Sequence, residues 1–287
     1  MPATLAPPPE AETETEVFGE GVELSDATRR ETSRHRDGGG DHVPAAAEVA
    51  HARGDAPAAA RPPVRIVAAT ELNVPAGIGD LDSFADWVTS GGLPDDFAGE
   101  VAWIDGTLEV DMNGGDIFDH ESPKSEVGIV VGYRVRSLGI GATLQDGALY
   151  AVGGADLGCI PDVTVVLDAS VESGRARVVH TKSGAARKVV GPPDIAVEVV
   201  SPSSPEKDTV ELFAAYFTAG ITEYWVVDAR DGRSSLTIFT RGEGRHAAAA
   251  VDSDGFQRSD ILKASYRLRR REAKASLATF SLDERPD

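Results

Sequence analysis

Two carboxylates stand in stretches that are otherwise apolar. In 193-PDIAVEVV-200, Glu198 is enclosed by Ile195, Ala196, Val197, Val199 and Val200. In 161-PDVTVVL-167, Asp162 opens a second apolar run behind the same Pro-Asp dipeptide. An ionised carboxylate inside a buried strand is costly unless a cation, a proton or a strong set of donors meets it. If the two runs are neighbouring strands, Asp162 and Glu198 converge on one point. Two carboxylates and a backbone carbonyl then make an oxygen-rich site for a hard divalent cation, Mg²⁺ or Mn²⁺. Such an ion activates water and stabilises a phosphate transition state. The same residues suit equally a buried glutamate satisfied by backbone donors or an arginine, and spacing alone leaves the two readings level. Asp194, the acid of the other Pro-Asp pair, reads as a cap or turn former.

The elements that must position these acids can be traced along the chain. The stretch 80-DLDSFADWVTSG-91 offers an Asp cap, then Leu81, Phe84 and Trp87 at helical spacing, then glycine. Residues 101–112 read as a hairpin around Asp105-Gly106. Val127, Val130, Val131, Val135 and Leu138 predict a helix over 121–139. Strands follow around 142–152 and 160–168, then a variable polar loop over 169–188, then the strand of Glu198. A helix over roughly 205–219 is expected to present Val210, Phe213, Ala214 and Phe217 on one face. Strands at 223–229 and 235–240 follow, joined by a turn at 230–234. Runs apolar on both faces suit central strands covered by helices, so the class is α/β or α+β with a mixed sheet.

Composition sets outer bounds. Residues 1–64 are rich in Pro, Ala, Glu and Gly and show no lasting periodicity, which reads as a disordered tail. Residues 65–280 form the expected domain. The single cysteine, Cys159, excludes an intrachain disulfide and a Cys-rich zinc site; it reads as a small buried hydrophobe. With no apolar stretch of signal-peptide or membrane-spanning length, a cytoplasmic protein that meets no membrane is the expectation. A formal net charge of −19 argues against a broad cationic nucleic-acid surface. One segment, 266-YRLRRREAKAS-276, is locally basic and reads as a solvated face, or else as a small phosphate-contacting patch.

The run 193-PDIAVEVVSPSSPEKDTVELFAAYFTAGITEYWVVD-228 resembles the signature of the Uma-type putative restriction endonuclease family, within the PD-(D/E)xK nuclease superfamily. The resemblance is carried by Asp162, Glu198, Ser201-Pro202-Ser203, Asp208, Tyr216, Gly220 and Glu223-Tyr224-Trp225. Ile104-Asp105-Gly106, His120 and 255-GFQRSDIL-262 extend it over roughly 80–270. It implies a restriction-endonuclease-like fold, a central mixed β-sheet flanked by helices. It also implies Mg²⁺- or Mn²⁺-dependent hydrolysis of DNA phosphodiesters, with Asp162, Glu198 and the Val199 carbonyl as metal ligands. Related nucleases are often dimers, which makes a homodimer an expectation.

The sequence departs from the family in its lysine. The two positions where that side chain is expected are Val200 and Leu212, both apolar. Lys207 is the nearest replacement in sequence, against its reading as an exposed helix-end lysine. In the hairpin, Ala102 and Trp103 stand where the family carries an acid; Glu100 lies on the same strand face as Ala102 and is a substitute. His120 either faces the cleft or caps the helix behind it. Tyr224 and Trp225 alternate faces and read as core. Three functions stay open on these residues: a DNA endonuclease, a non-cleaving binding module on the same fold, and a metal-dependent hydrolase of another phosphate ester.

Overall fold

The first hairpin closes at Asp105-Gly106 with φ of 46° and 77°, the left-handed pair that a tight Asp-Gly turn requires. The computed structural model describes residues 64–66, 72, 74–94, 97, 99–111, 116–180, 184–201, 210–271 and 279–287. In chain order the elements are β1 (Val64–Ile66), α1 (Leu81–Thr89), β2 (Glu100–Ile104), β3 (Thr107–Asp111), α2 (Ser122–Leu138), β4 (Gly141–Gln145), β5 (Leu149–Val152), β6 (Leu157–Cys159) and β7 (Val163–Leu167). Then come α3 (Asp168–Glu172), β8 (Arg177–His180), β9 (Ala186–Val190), β10 (Ile195–Val199), α4 (Leu212–Ala219), β11 (Glu223–Asp228) and β12 (Ser235–Arg241). The chain ends with β13 (His246–Ala248), β14 (Gln257–Ser259), β15 (Ala264–Arg271) and β16 (Thr279–Pro286).

Among the described residues the strands form three sheets: β1-β3-β2-β6-β5-β9-β8, β13-β12-β11-β10-β7-β4 and β14-β15-β16. The second is mixed, since β10 runs parallel to β11 and antiparallel to β7. A parallel pair needs a crossover, and α4 supplies it between β10 and β11. Among the described residues no helix is long and apolar enough to cross a membrane.

Strand β10 is buried on both faces, as its composition predicts. On one side Ile195, Val197 and Val199 join Val163 and Val165 against Val127, Val131 and Val135 of α2, and α2 is covered in turn by Tyr266, Leu268, Phe280 and Leu282. On the other side Ala196 packs with Leu212 and Tyr216 of α4, Tyr150 and Cys159. Each α2 valine is at most 1% exposed, and burying one stabilises the fold by about 1.5–3 kcal/mol. Tyr224 and Trp225 fall into opposite clusters, in agreement with their alternation.

Four expectations change. The span 142–152 is two strands, β4 and β5, which enter different sheets. The region read as a polar loop contains α3 and the strand pair β8 and β9, whose edge position leaves most of their side chains exposed and so hides the strand pattern. On α4 the buried residues are Leu212, Tyr216 and Ala219, whereas Val210 is 59% exposed and Ala214 is exposed. Tyr216 can turn inward because its hydroxyl finds an acceptor, so apolarity alone misjudged the face. Asp194 does more than cap a turn. It is buried and accepts from Leu167 N–H at 2.8 Å, Ser170 Oγ at 2.8 Å and Arg175 at 2.7 Å. Arg175 also donates to the Gly220 carbonyl at 2.7 Å, which ties the end of α4 to the start of β10.

Glu223 is the corresponding acid at the start of β11. It accepts from Ser259 Oγ at 2.8 Å, Ile261 N–H at 3.0 Å and Trp225 Nε1 at 3.1 Å, and so joins the central sheet to the C-terminal one. Burial pushes its carboxyl up despite these donors. Glu223→Ala leaves three donors facing a void and is expected to destabilise the protein by about 3 kcal/mol. Urea denaturation of the two proteins at neutral pH measures this. A loss no larger than that of an exposed Glu→Ala control contradicts the role assigned to Glu223.

Candidate active site

Asp162 lies at the mouth of β7, directly after Pro161, and is 5% exposed. Continuing the β7–β10 register by one residue sets it opposite Glu198. Its Oδ2 accepts the Val199 N–H at 2.8 Å. Within an extended strand a residue's N–H and C=O leave on the same edge, so the Val199 carbonyl faces that side as well.

The second wall comes from the chain ahead of α2. Residues Ile117–Glu121 form a single wide turn, capped by the Asp116 carboxylate, which accepts from Phe118 and Asp119 N–H at 2.8 Å each. Wide turns of this kind within helices often mark functional positions. Arg270 of β15 holds this one in place through Asp119 at 3.1 Å. The turn carries His120, which is 3% exposed. Its Nδ1 lies 3.1 Å from Glu121, and its Nε2 lies 3.5 Å from Asp162 Oδ2. That second distance is ion-pair range rather than a formed hydrogen bond, and Nε2 is buried with no hydrogen-bond partner among the described residues. Burial pushes the His120 imidazole down, but the Asp162 carboxylate, with Glu121, overcomes this and holds its pKa at about 9. Burial likewise acts to raise Asp162, and His120, the Val199 N–H and Lys124 more than offset it, keeping the carboxyl below its ordinary range.

Glu100, at the start of β2, completes the cluster. Ligand atoms of Glu100, His120 and Asp162 all lie within 4.8 Å of one another. They line a cavity of about 330 Å³, with Leu93, Phe97 and Ile160 as its apolar wall. Two carboxylates and an imidazole are a donor set for a divalent first-row cation, and the imidazole favours Mn²⁺ over Mg²⁺.

The predicted site residues are therefore divided. Glu100, His120 and Asp162 meet, with Val199 beside them. Glu198 is buried but does not belong to that set; its carboxylate accepts the Tyr216 hydroxyl. Lys207 lies outside the described residues, as do Pro202, Ser203 and Asp208. Val200 and Leu212 are core residues, 1% and 2% exposed. The basic segment is largely neutralised, since Arg267 and Arg269 pair with Asp283 and Arg270 with Asp119.

Sequence reasoning missed two residues. Tyr216 stood in the family pattern without a role, and its bond to Glu198 depends on the parallel crossover. Lys124 was not singled out, although it follows His120 by four residues, a spacing that stacks side chains on one helix face. Its Nζ lies 2.9 Å from Glu121, 3.4 Å from Asp146 and 3.7 Å from Asp162 Oδ1.

Comparison with known proteins agrees with the sequence pattern. None of the curated proteins matches this chain. Among solved structures it is similar to a putative nuclease of the DUF820 family from Anabaena variabilis, at 16% identity and a TM-score of 0.46, over 64% of this chain and 90% of that one. The model of the Uma2 family, described as putative restriction endonucleases, matches residues 91–270. That match spans more than half of the 287 residues, and the chain belongs to this family.

Proposed function

We propose that this protein hydrolyses DNA phosphodiester bonds with the help of Mg²⁺ or Mn²⁺. The observation that carries the reading is the convergence of Glu100, His120 and Asp162 on one cavity, with His120 Nε2 buried there and lacking a hydrogen-bond partner. Asp162, Glu100 and His120 Nε2 would hold the cation, with Glu198 and the Val199 carbonyl as further oxygen donors from the neighbouring strand. A bound divalent ion supplies Lewis-acid polarisation of the phosphate and lowers the pKa of water. The Val199 N–H fixes the orientation of Asp162, and the Tyr216 hydroxyl does the same for Glu198. The Leu93, Phe97 and Ile160 side chains limit how much water the cavity holds.

The burial of Val200 and Leu212 favours a second reading, a non-cleaving module on the same fold. Purified protein with supercoiled plasmid separates the two. The wild type is expected to nick DNA, faster in Mn²⁺ than in Mg²⁺, and Asp162→Asn to lose about 100-fold or more of that rate along with its Mn²⁺ binding in calorimetry. Equal nicking by both proteins, or an inert wild type, refutes the endonuclease reading.

Proton binding offers a separate check. In metal-free protein the His120 ring should titrate at about 9 by NMR. The pKa is raised on folding, so the stability this group contributes is complete below the ordinary histidine value and disappears as the pH climbs through about 9. Asp162→Asn leaves the burial and removes the charge, and should bring the titration below 6.5, the ordinary value. A titration unmoved by that change would show that the two groups do not interact.

A further inference from the structure

We infer that Lys124 is the catalytic cation of this site, taking the part that a lysine at position 200 or 212 would otherwise play. The inference rests on the endonuclease reading above. Both expected positions are filled by apolar side chains packed in the core, so no ammonium can reach the cavity from either. Lys124 reaches it from the opposite wall. His120 sits four residues earlier and puts both side chains over the same part of the sheet. The Lys124 side chain is 12% exposed, and among the described residues lining the cavity it is the one lysine or arginine.

The electrostatics of the cavity require such a group. Glu100, Glu121, Asp146 and Asp162 all line it, and unopposed they repel a phosphodiester. Three of these carboxylates, from the wide turn, the β4–β5 turn and the mouth of β7, stand within 4 Å of Lys124 Nζ. That arrangement holds a fixed ammonium at the cavity wall with only its remaining face free for a ligand. A plain counter-ion for Asp162 would sit closest to Asp162. Instead Nζ lies 3.7 Å from it and 2.9 Å from Glu121, a half-exposed residue at the rim. The anchor is at the rim and the charge is directed inward.

In the reaction Lys124 stays protonated and donates to a non-bridging oxygen of the scissile phosphate, where negative charge accumulates in the transition state. The water oxygen forms one bond to phosphorus as the bond to the leaving ester oxygen breaks. The proton lost by the water passes to solvent by way of the half-exposed Glu121 carboxylate, and the leaving oxygen takes a proton from solvent.

The test compares wild type with Lys124→Met, Lys124→Ala and Lys124→Arg in plasmid cleavage, Mn²⁺ calorimetry and thermal melting. The Met and Ala variants are expected to lose about 100-fold or more in cleavage rate, and arginine to restore part of it. Mn²⁺ affinity should hold within about threefold or tighten, because removing an ammonium leaves the ligand cluster more negative. Ethylammonium ion should recover part of the activity of the Ala variant and none of the Met variant, whose side chain fills the space. Cleavage by Lys124→Met within about threefold of wild type overturns the role of Lys124 and leaves the endonuclease reading intact. Joint loss of Mn²⁺ binding and melting temperature, with no amine rescue, makes Lys124 a structural counter-ion and also overturns it. If Lys124→Met does not fold, Lys124→Gln, which keeps a donor for Glu121, takes its place under the same criteria. An inert wild type refutes the endonuclease reading itself, and the proposal with it, without reference to any variant.

Discussion

The structure turns on how a charged Asp162 is kept at the mouth of a buried strand. Its one close donor is the Val199 N–H, at 2.8 Å, and that donor exists only because β10 runs antiparallel to β7 in a register that brings the end of β10 past the start of β7. Its remaining partners, His120 and Lys124, stand at 3.5 Å and 3.7 Å and come from a different layer, the chain entering α2. The position of α2 is in turn set by its valines against β7 and β10 and by the C-terminal sheet on its far side. One carboxylate therefore links strand register, helix placement and the outer sheet. A shift in any of the three would leave a buried charge without compensation, at a cost comparable to a large part of a domain's stability.

The other buried acids show what a purely structural carboxylate looks like here. Asp194 has a backbone N–H, a hydroxyl and a guanidinium, all within 2.8 Å. Glu223 has a hydroxyl, a backbone N–H and an indole N–H within 3.1 Å. Both sit at the start of strands, as Asp162 does, and both are well supplied with donors. Asp162 instead has one close donor and two ionisable neighbours held off it, in a cavity shared with Glu100. Incomplete satisfaction next to open space is what separates a ligand site from a brace in this protein.

Much of this was legible in the sequence, because the features concerned are local. Asp105-Gly106 specifies its turn by backbone preference, the apolar run of β10 reports burial on both faces, and Tyr224-Trp225 alternates as a strand between two cores must. Asp162, Glu100 and His120 were found by residue type and by pattern. What escaped depends on pairings that no short window contains. The edge strands β8 and β9 look like polar loop because no layer covers them. Tyr216 turns inward only because Glu198 waits on the strand before it, which reverses the face that apolarity alone would choose for α4. Lys124 lay within view, four residues after His120. The expectation that the lysine must follow Glu198 directed attention to β10 and α4, both of which present core residues at the relevant positions.

The C-terminal arginines change meaning once their partners are known. A basic stretch in a protein of net charge −19 suggests a place to meet phosphate. In the structure Arg267 and Arg269 share Asp283 across the β15–β16 pair, and Arg270 reaches back to Asp119 in the turn that carries His120. Much of the segment's positive charge is thus used within the fold, and part of it sets the geometry of the cavity. Attraction for a polyanion then has to originate inside the site, from the cation that the acids and His120 would hold and from the ammonium of Lys124. A surface that is acidic outside and cationic only at its centre repels duplex approach at long range and favours it only on close contact, where screening by salt matters least.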